Sequence, residues 1–279
     1  VLEFSVEIFK YLPAEAGLDV LETGEVIVTP PKYFNDPFEF TPRIRSRNPE
    51  QYALRQFREL TTSPEFFEKN RDRFPLLRSF DDFRRELLRN RRERLNEFVA
   101  GIRRNDQQVQ DALLDYLSSH FGVICFAANG LDAAMWANYA ANHSGLLLGF
   151  DRRHPLFSSS AFVEMSYSDI PVTYDASAAP NLRSIKGFIR HKHSHWKHER
   201  ESRLIVPLSL ARTANRSAGR RYVVPFEGST LVSVTVGLRA SSDLLPRVIR
   251  RLKVPELAHV RIFKVAKHPD ALTLLRLPS

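Results

Sequence analysis

The chain has almost no cysteine: Cys125, inside FGVICFAA, is the single one in 279 residues. No disulfide can form within the chain, so a reducing, cytoplasmic setting is expected. Long apolar runs are missing as well. None approaches the roughly 18 residues of a bilayer span, and the opening VLEFSVEIFKYL lacks the basic-then-apolar order of a signal peptide. A membrane partner is therefore not expected. There is no internal repeat or low-complexity tract. Acidic charge is in short supply, with 32 Asp and Glu against 41 Lys and Arg and a formal net charge of +9.

What is present is enough apolar material for a core, 43% hydrophobic with 11% aromatic. The positive charge is concentrated. Residues 43–104 hold 17 Arg and Lys against 10 Asp and Glu, and residues 186–221 hold 10 against 2, which leaves the remainder net acidic. Two such segments can attract phosphates and point to a nucleic-acid target. A solvated, arginine-rich helix face would have the same composition.

Hydrophobic periodicity gives the organisation. EIFKYL and GEVIVTP alternate as short strands, with PAEAGLDVLETG between them as one helix closed by glycine. From about 49 to 119 the pattern is helical, with charged faces and Ser, Asn or Asp openings. Strands then follow in FGVICFAA, GLLLGFD, FVEMSYS, PVTYD, SRLIVPL, RRYVVPF, LVSVTVGL and VRIFKVA, with helices near 131–142, 182–198 and 241–252. The expectation is one α+β domain over 1–279, interrupted by a helical insertion at 43–120.

Three stretches carry residues suited to chemistry. FNDPFEF places Asn35, Asp36 and Glu39 around a turn-forming proline, between Phe34, Phe38 and Phe40. Carboxylates beside apolar rings are desolvated unless they bind something. LDAAMWANYAANHSG sets Trp136, Tyr139 and His143 along one helix that Gly145 ends, either as a core helix or as a pocket wall offering a stacking face. HKHSHWKHERESRL combines four histidines with Trp196, Glu199, Glu201 and Arg203. A helix over 188–198 would put His191, His195 and His198 on one zinc-binding face. Lys192, Lys197 and Arg200 stand among them and disfavour a dication, so no metal is expected. If a strand starts near Glu199, then Glu199, Glu201 and Arg203 share a face. They form either a charged edge or a carboxylate pair for acid/base work, with Arg203 keeping one of them ionised.

Five blocks, FKY at 9–11, FNDPFE at 34–39, FGVICFA at 121–127, MWANYAANHSGLLLGFD at 135–151 and KHSHWKHERESRLI at 192–205, resemble the signature blocks of the bacterial family catalogued as domain of unknown function 2971. The order of parts is also similar to that of ADP-ribosyltransferases. In those enzymes an early motif grips NAD, an aromatic residue stacks on nicotinamide, and a late glutamate acts at the bond being broken. The similarity implies an ADP-ribosyltransferase-like mixed or antiparallel β core, with NAD as substrate. It puts Lys10 or Tyr11 in the first role, Tyr139 or Trp136 in the second, and Glu199 or Glu201 in the third. Asn35, Asp36, Glu39, His143, Trp196 and Arg203 complete the implied cofactor side. Lys-Tyr stands where those enzymes carry His or Arg.

The residue chemistry agrees with this. Cleaving the bond between nicotinamide and ribose passes through an oxocarbenium-like state that a carboxylate stabilises. An aromatic face attracts the cationic ring, and Lys10, Lys192 or Arg203 suits a pyrophosphate. The expected function is thus a NAD-consuming, ADP-ribosyltransferase-like enzyme, a toxin or phage-defence effector modifying nucleic acid or protein. Two alternatives stand beside it. One is a metal-dependent nuclease using Asp36, Glu39, Glu199, Glu201 and the histidines. The other is a non-enzymatic nucleic-acid or protein-binding module.

Overall fold

The computed structural model describes residues 7–45, 48–75, 77–104, 106–175, 182–216 and 219–279. Residues 1–6 of the opening stretch, Asn105 of an expected helix, and residues 46, 47, 76, 217 and 218 of the two basic segments lie outside them.

The chain begins with β1 (Glu7–Leu12), α1 (Ala14–Thr23) and β2 (Glu25–Val28). Gly24, at φ 64°, closes α1 by donating its N–H to the Val20 carbonyl, a left-handed cap that glycine adopts without steric cost. Next come β3 (Arg43–Arg45), α2 (Pro49–Thr62), α3 (Pro64–Lys69), α4 (Phe80–Arg89), α5 (Arg91–Arg104) and α6 (Asp106–His120). They are followed by β4 (Phe121–Ala127), α7 (Ala133–Tyr139), β5 (Leu146–Asp151), β6 (Phe162–Glu164), β7 (Ser166–Tyr167) and β8 (Thr173–Asp175). The remainder holds α8 (Leu182–Ile189), β9 (His191–Lys192), a 3-10 turn at Ser194–Glu199, β10 (Glu201–Pro207) and β11 (Arg212–Arg216). The chain then runs through β12 (Gly219–Pro225), β13 (Leu231–Val236), α9 (Leu244–Arg251), β14 (Arg261–Lys267) and β15 (Leu274–Pro278).

These elements form two compact units, one of residues 1–40, 114–170 and 189–279, the other of 41–113 and 171–188. The first is built on an eight-stranded sheet in the order β15-β14-β13-β5-β1-β4-β10-β6. Only β13 and β14 pair in parallel, so the sheet is mixed and mostly antiparallel and the chain is of α+β class. Strand alternation sends Ile124, Phe126, Leu204 and Val206 to a core shared with Val26 and Val28 of β2, which belongs to a smaller β11-β12-β2 sheet. The opposite face carries Phe9, Tyr11 and Ala127, packed under Trp136 of α7.

In the second unit, Phe67 and Phe83 are buried in a cluster with Phe74, at ring separations of 5.1–6.4 Å. Strands β3 and β8 pair in parallel there. Among the described residues no helix is long and apolar enough to cross a membrane.

Three departures from the sequence pattern matter for the site. The helix expected over 182–198 stops at Ile189, and His191–Lys192 pairs with β7 instead. FVEMSYS is two short strands parted at Met165, whose N–H is taken by the Glu201 carbonyl at 3.1 Å. The helix expected to run to Gly145 ends at Tyr139, and Ala141, Asn142 and His143 follow with φ of 48°, 55° and 69°.

Candidate active site

The site forms where the large sheet opens. Strands β1 and β4 pair at one position, Phe9 with Ala127, and Val123 of β4 bridges instead to Thr29. Between these two points β4 has no strand paired on its β1 side, and the Lys10 ammonium donates to the Cys125 carbonyl at 3.3 Å. A buried carbonyl needs such a donor. The register continues across the sheet, so that Glu201 lies beside Ala127 and Arg203 beside Cys125.

A cavity of about 110 Å³ occupies this gap. Its apolar walls include Phe9, Phe34, Phe126, Met135 and Tyr139, and its polar lining is Lys10, Tyr11, Asn35, Cys125, Lys192, Glu199 and Glu201. Met135 and Tyr139 are one helical turn apart on α7, whose start is capped by Asp132 accepting the Met135 N–H at 3.0 Å. All the lining residues belong to the first unit.

Below the cavity lies a buried charge network. Lys192 donates to Glu199 Oε2 at 2.5 Å and to Glu201 Oε2 at 3.0 Å, and Glu39 Oε1 stands 3.3 Å from the same ammonium. The Arg203 guanidinium, fully buried, donates from Nε to Glu201 Oε1 at 2.6 Å and from Nη1 to the Ile189 carbonyl at 2.8 Å, and its Nη2 pairs with Glu39. Phe34 and Phe40 stand 5.0 and 5.3 Å from it. Tyr139 donates to Glu199 Oε1 at 2.7 Å. Arg200, at φ 44°, is the left-handed residue that lets Glu199, in the 3-10 turn, and Glu201, in the strand, both reach Lys192. They therefore converge without sharing a strand face.

The electrostatics separate the roles of these groups. Burial works to raise the Glu201 carboxyl, but Arg203 and Lys192 outweigh it and hold it down at about 2. Burial works to lower the Lys192 ammonium, yet Glu201, Glu39 and Glu199 raise it above its usual value. Glu39 is raised, chiefly by burial. Tyr139 is raised by burial and by Glu199, so it keeps its proton as a donor. Lys10 is lowered by burial, and burial also pushes the Cys125 thiol up, away from a reactive thiolate. Glu201 is thus a permanent, fixed anion at neutral pH.

The expected site residues divide accordingly. Lys10, Tyr11, Asn35, Tyr139, Glu199 and Glu201 come together at the cavity. Trp136 does not reach it: fully buried, it donates Nε1–H to the Gly130 carbonyl at 2.9 Å and meets Tyr11 edge-on at 5.3 Å, so it is a core residue and offers no stacking face. Arg203 has its donors on Glu201, Glu39 and a carbonyl, which leaves it no reach to a pyrophosphate. Glu39 lies behind the floor with it. Asp36 turns one oxygen to the Phe38 N–H at 2.9 Å, as an Asx turn does, while its other oxygen is buried with no hydrogen-bond partner among the described residues. His143 falls in the left-handed turn after α7, outside the lining, and Trp196 covers the Lys192 ammonium from 4.9 Å. The histidines are not gathered either. His191 is in a strand while His193 and His195 stack at 4.5 Å, and among the described residues no three His, Cys, Asp or Glu stand in a metal-holding group.

Sequence reasoning missed Phe9, Phe126, Cys125 and Met135 as lining. Phe9 and Met135 lie next to Lys10 and Trp136, which it did single out, while Cys125 and Phe126 lie in FGVICFA, a block to which it gave no site residue; only strand register and helix phase reveal them. No family model, no curated protein and no solved structure matches the chain.

Proposed function

We propose that the chain is a NAD-consuming enzyme of ADP-ribosyltransferase type, with the nicotinamide end of the dinucleotide in the cavity. The observation that carries this reading is that two carboxylates, Glu199 and Glu201, meet aromatic walls in one cavity assembled from all five sequence blocks. Membership of the family catalogued as domain of unknown function 2971 rests on those blocks and is part of the same proposal. The volume is in keeping: about 110 Å³ holds one ring, whereas a whole cofactor-sized ligand fills roughly 300–1,000 Å³. The ring would lie against Tyr139, Phe9 or Phe34. As the C1′–N bond breaks, its electron pair goes to the nicotinamide nitrogen, and the fixed negative charge of Glu201 or Glu199 opposes the positive charge growing on the ribose. The acceptor, water or a nucleophile on nucleic acid or protein, attacks C1′ and releases a proton. Such turnover diverts a central cofactor, as a toxin or phage-defence effector would.

Incubation with NAD and measurement of free nicotinamide tests the reading. Glu201→Gln is expected to lower release by about a hundredfold or more, with the Tyr139→Phe and Lys10→Ala variants also impaired. Absence of nicotinamide release with water, nucleic-acid and protein acceptors alike would reject it.

A second reading has one observation in its favour. The carboxylates are closely matched by Lys192 and Arg203, so the network could hold the fold while the cavity binds a ligand without transforming it. In that case NAD or nicotinamide would raise the melting temperature with no turnover. The nuclease alternative gains nothing comparable, because the Lys192 ammonium already stands among Glu39, Glu199 and Glu201, where a metal would have to sit.

A further inference from the structure

A second basin, of about 570 Å³, lies beside the cavity and shares Glu201 with it. Its rim carries Arg152, Lys197, His198 and Arg200. Lys197 and Arg200 are exposed and make no ion pair with any of the described residues, whereas Arg212, Arg216, Arg261 and Arg276 of the same unit are each matched by a glutamate. Arg152 is held in place: it donates to the Phe157 carbonyl at 2.9 Å, lies 4.5 Å from the Phe162 ring, and has Glu164 only at 3.9 Å. Tyr167 completes the set. Its hydroxyl accepts the Glu201 N–H at 2.7 Å, which leaves its own proton to donate into the basin. Burial raises that phenol to about 12, so the proton stays on through the physiological range. Of the three acids at the basin, Glu7 is turned to Arg261 and Arg276 at 2.9 and 2.6 Å, the Glu201 carboxylate to Arg203 and Lys192, and Glu164, exposed, stands 3.9 Å from Arg152.

Arginine, lysine and hydroxyl donors around a space of ligand size, two of them held in place, are the chemistry of phosphate recognition. We infer that this basin binds the diphosphate of a nucleotide, through Arg152, Lys197, Arg200 and the Tyr167 hydroxyl. The strained left-handed backbone at Arg200 then has two effects, bringing the two glutamates together below and setting its own guanidinium at the rim. If nicotinamide enters the small cavity, a dinucleotide would span the two spaces through Glu201. That last step rests on the proposed function, while the diphosphate site itself does not.

Isothermal titration of the full chain with ADP, AMP and adenosine at about 0.15 M salt tests the inference. ADP should bind at least tenfold more tightly than adenosine, with AMP between them. A Lys197→Ala/Arg200→Ala variant should lose about tenfold for ADP and nothing for adenosine, with an unchanged melting curve. Arg220→Ala/Arg221→Ala, which removes the same charge from exposed positions of β12, should leave ADP binding intact. Equal affinity for ADP and adenosine, or equal losses in the two double variants, would overturn the site in favour of general electrostatic attraction. ADP binding without nicotinamide release from NAD would leave this site standing and count against the glycosidic reading alone.

Discussion

Arg203 decides what its neighbours can be. It is fully buried, and its charge is tolerable only because Glu201 and Glu39 neutralise it and the Ile189 carbonyl takes a further donor. Replacing it by methionine strands those carboxylates in the interior, where breaking a buried pair costs about 3–5 kcal/mol. Chemical denaturation should show a loss of that size, with Arg203→Lys recovering part because it keeps the charge but not the fork. The same network predicts a pH dependence. The Glu201 carboxyl is depressed to about 2 in the folded chain, against about 4.3 when unfolded, so its stabilisation is complete above the unfolded value and lost as pH falls from about 5 toward 2. Lys192 is shifted the other way, upward. Its contribution is present below about 10.4 and lost as pH rises past that value. Urea midpoints measured across pH should fall on both sides, and Glu201→Gln should flatten the acid side. At this scale the sequence was partly legible. The spacing of Glu201 and Arg203 gives their common face, but nothing in it shows that Arg203 faces inward to serve the glutamate rather than outward to a ligand.

Helix α7 shows what depends on an element as a whole. It is only seven residues long, Ala133–Tyr139, too short to hold itself together, so it depends on its cap and on Trp136 in the core. Asp132→Ala removes the acceptor for the Met135 N–H and should cost about 1 kcal/mol. Because Tyr139 rides on the same helix, that variant should also weaken ligand binding in the cavity. A cap with the same energy elsewhere separates the two effects. Gly24→Ala, at the left-handed end of α1, should lower stability by about 1 kcal/mol and leave binding unchanged. Legibility at this scale followed apolar content. β1, β4, β5 and β13 are rich in it because they lie in the interior of the sheet, β5 being buried along nearly its whole length, while β11, reading RTANR, lies at a sheet edge with charged side chains and is poor in it. The helix expected over 182–198 holds only to Ile189, and the histidine spacing beyond it is accommodated by a strand and a 3-10 turn. The opening between β1 and β4 could not be foreseen, since it is a property of pairing and not of either strand alone.

Over the whole molecule the excess of +9 sets long-range attraction for phosphates, but much of it is locally cancelled. In the basic stretch of the second unit, Arg71, Arg85, Arg89 and Arg94 each pair with a carboxylate three residues away on the same segment. Arg84, Arg91 and Arg92 are exposed and have no ion-pair partner among the described residues, so they are among the charges that a nucleic-acid acceptor, if there is one, could use. Exposed pairs contribute little to stability, and replacing these three arginines by glutamine should leave the melting curve unchanged. If nucleic acid is the acceptor, anisotropy titrations with an RNA or DNA oligonucleotide should give affinity that falls steeply with salt. The slope of log K against log salt should become shallower by about 2–3 in the triple variant, near 0.7–0.9 for each phosphate that an arginine no longer neutralises. An unchanged slope would place the nucleic acid on another surface, and the basic segment of the second unit would then be what its composition also allows, a solvated arginine-rich face.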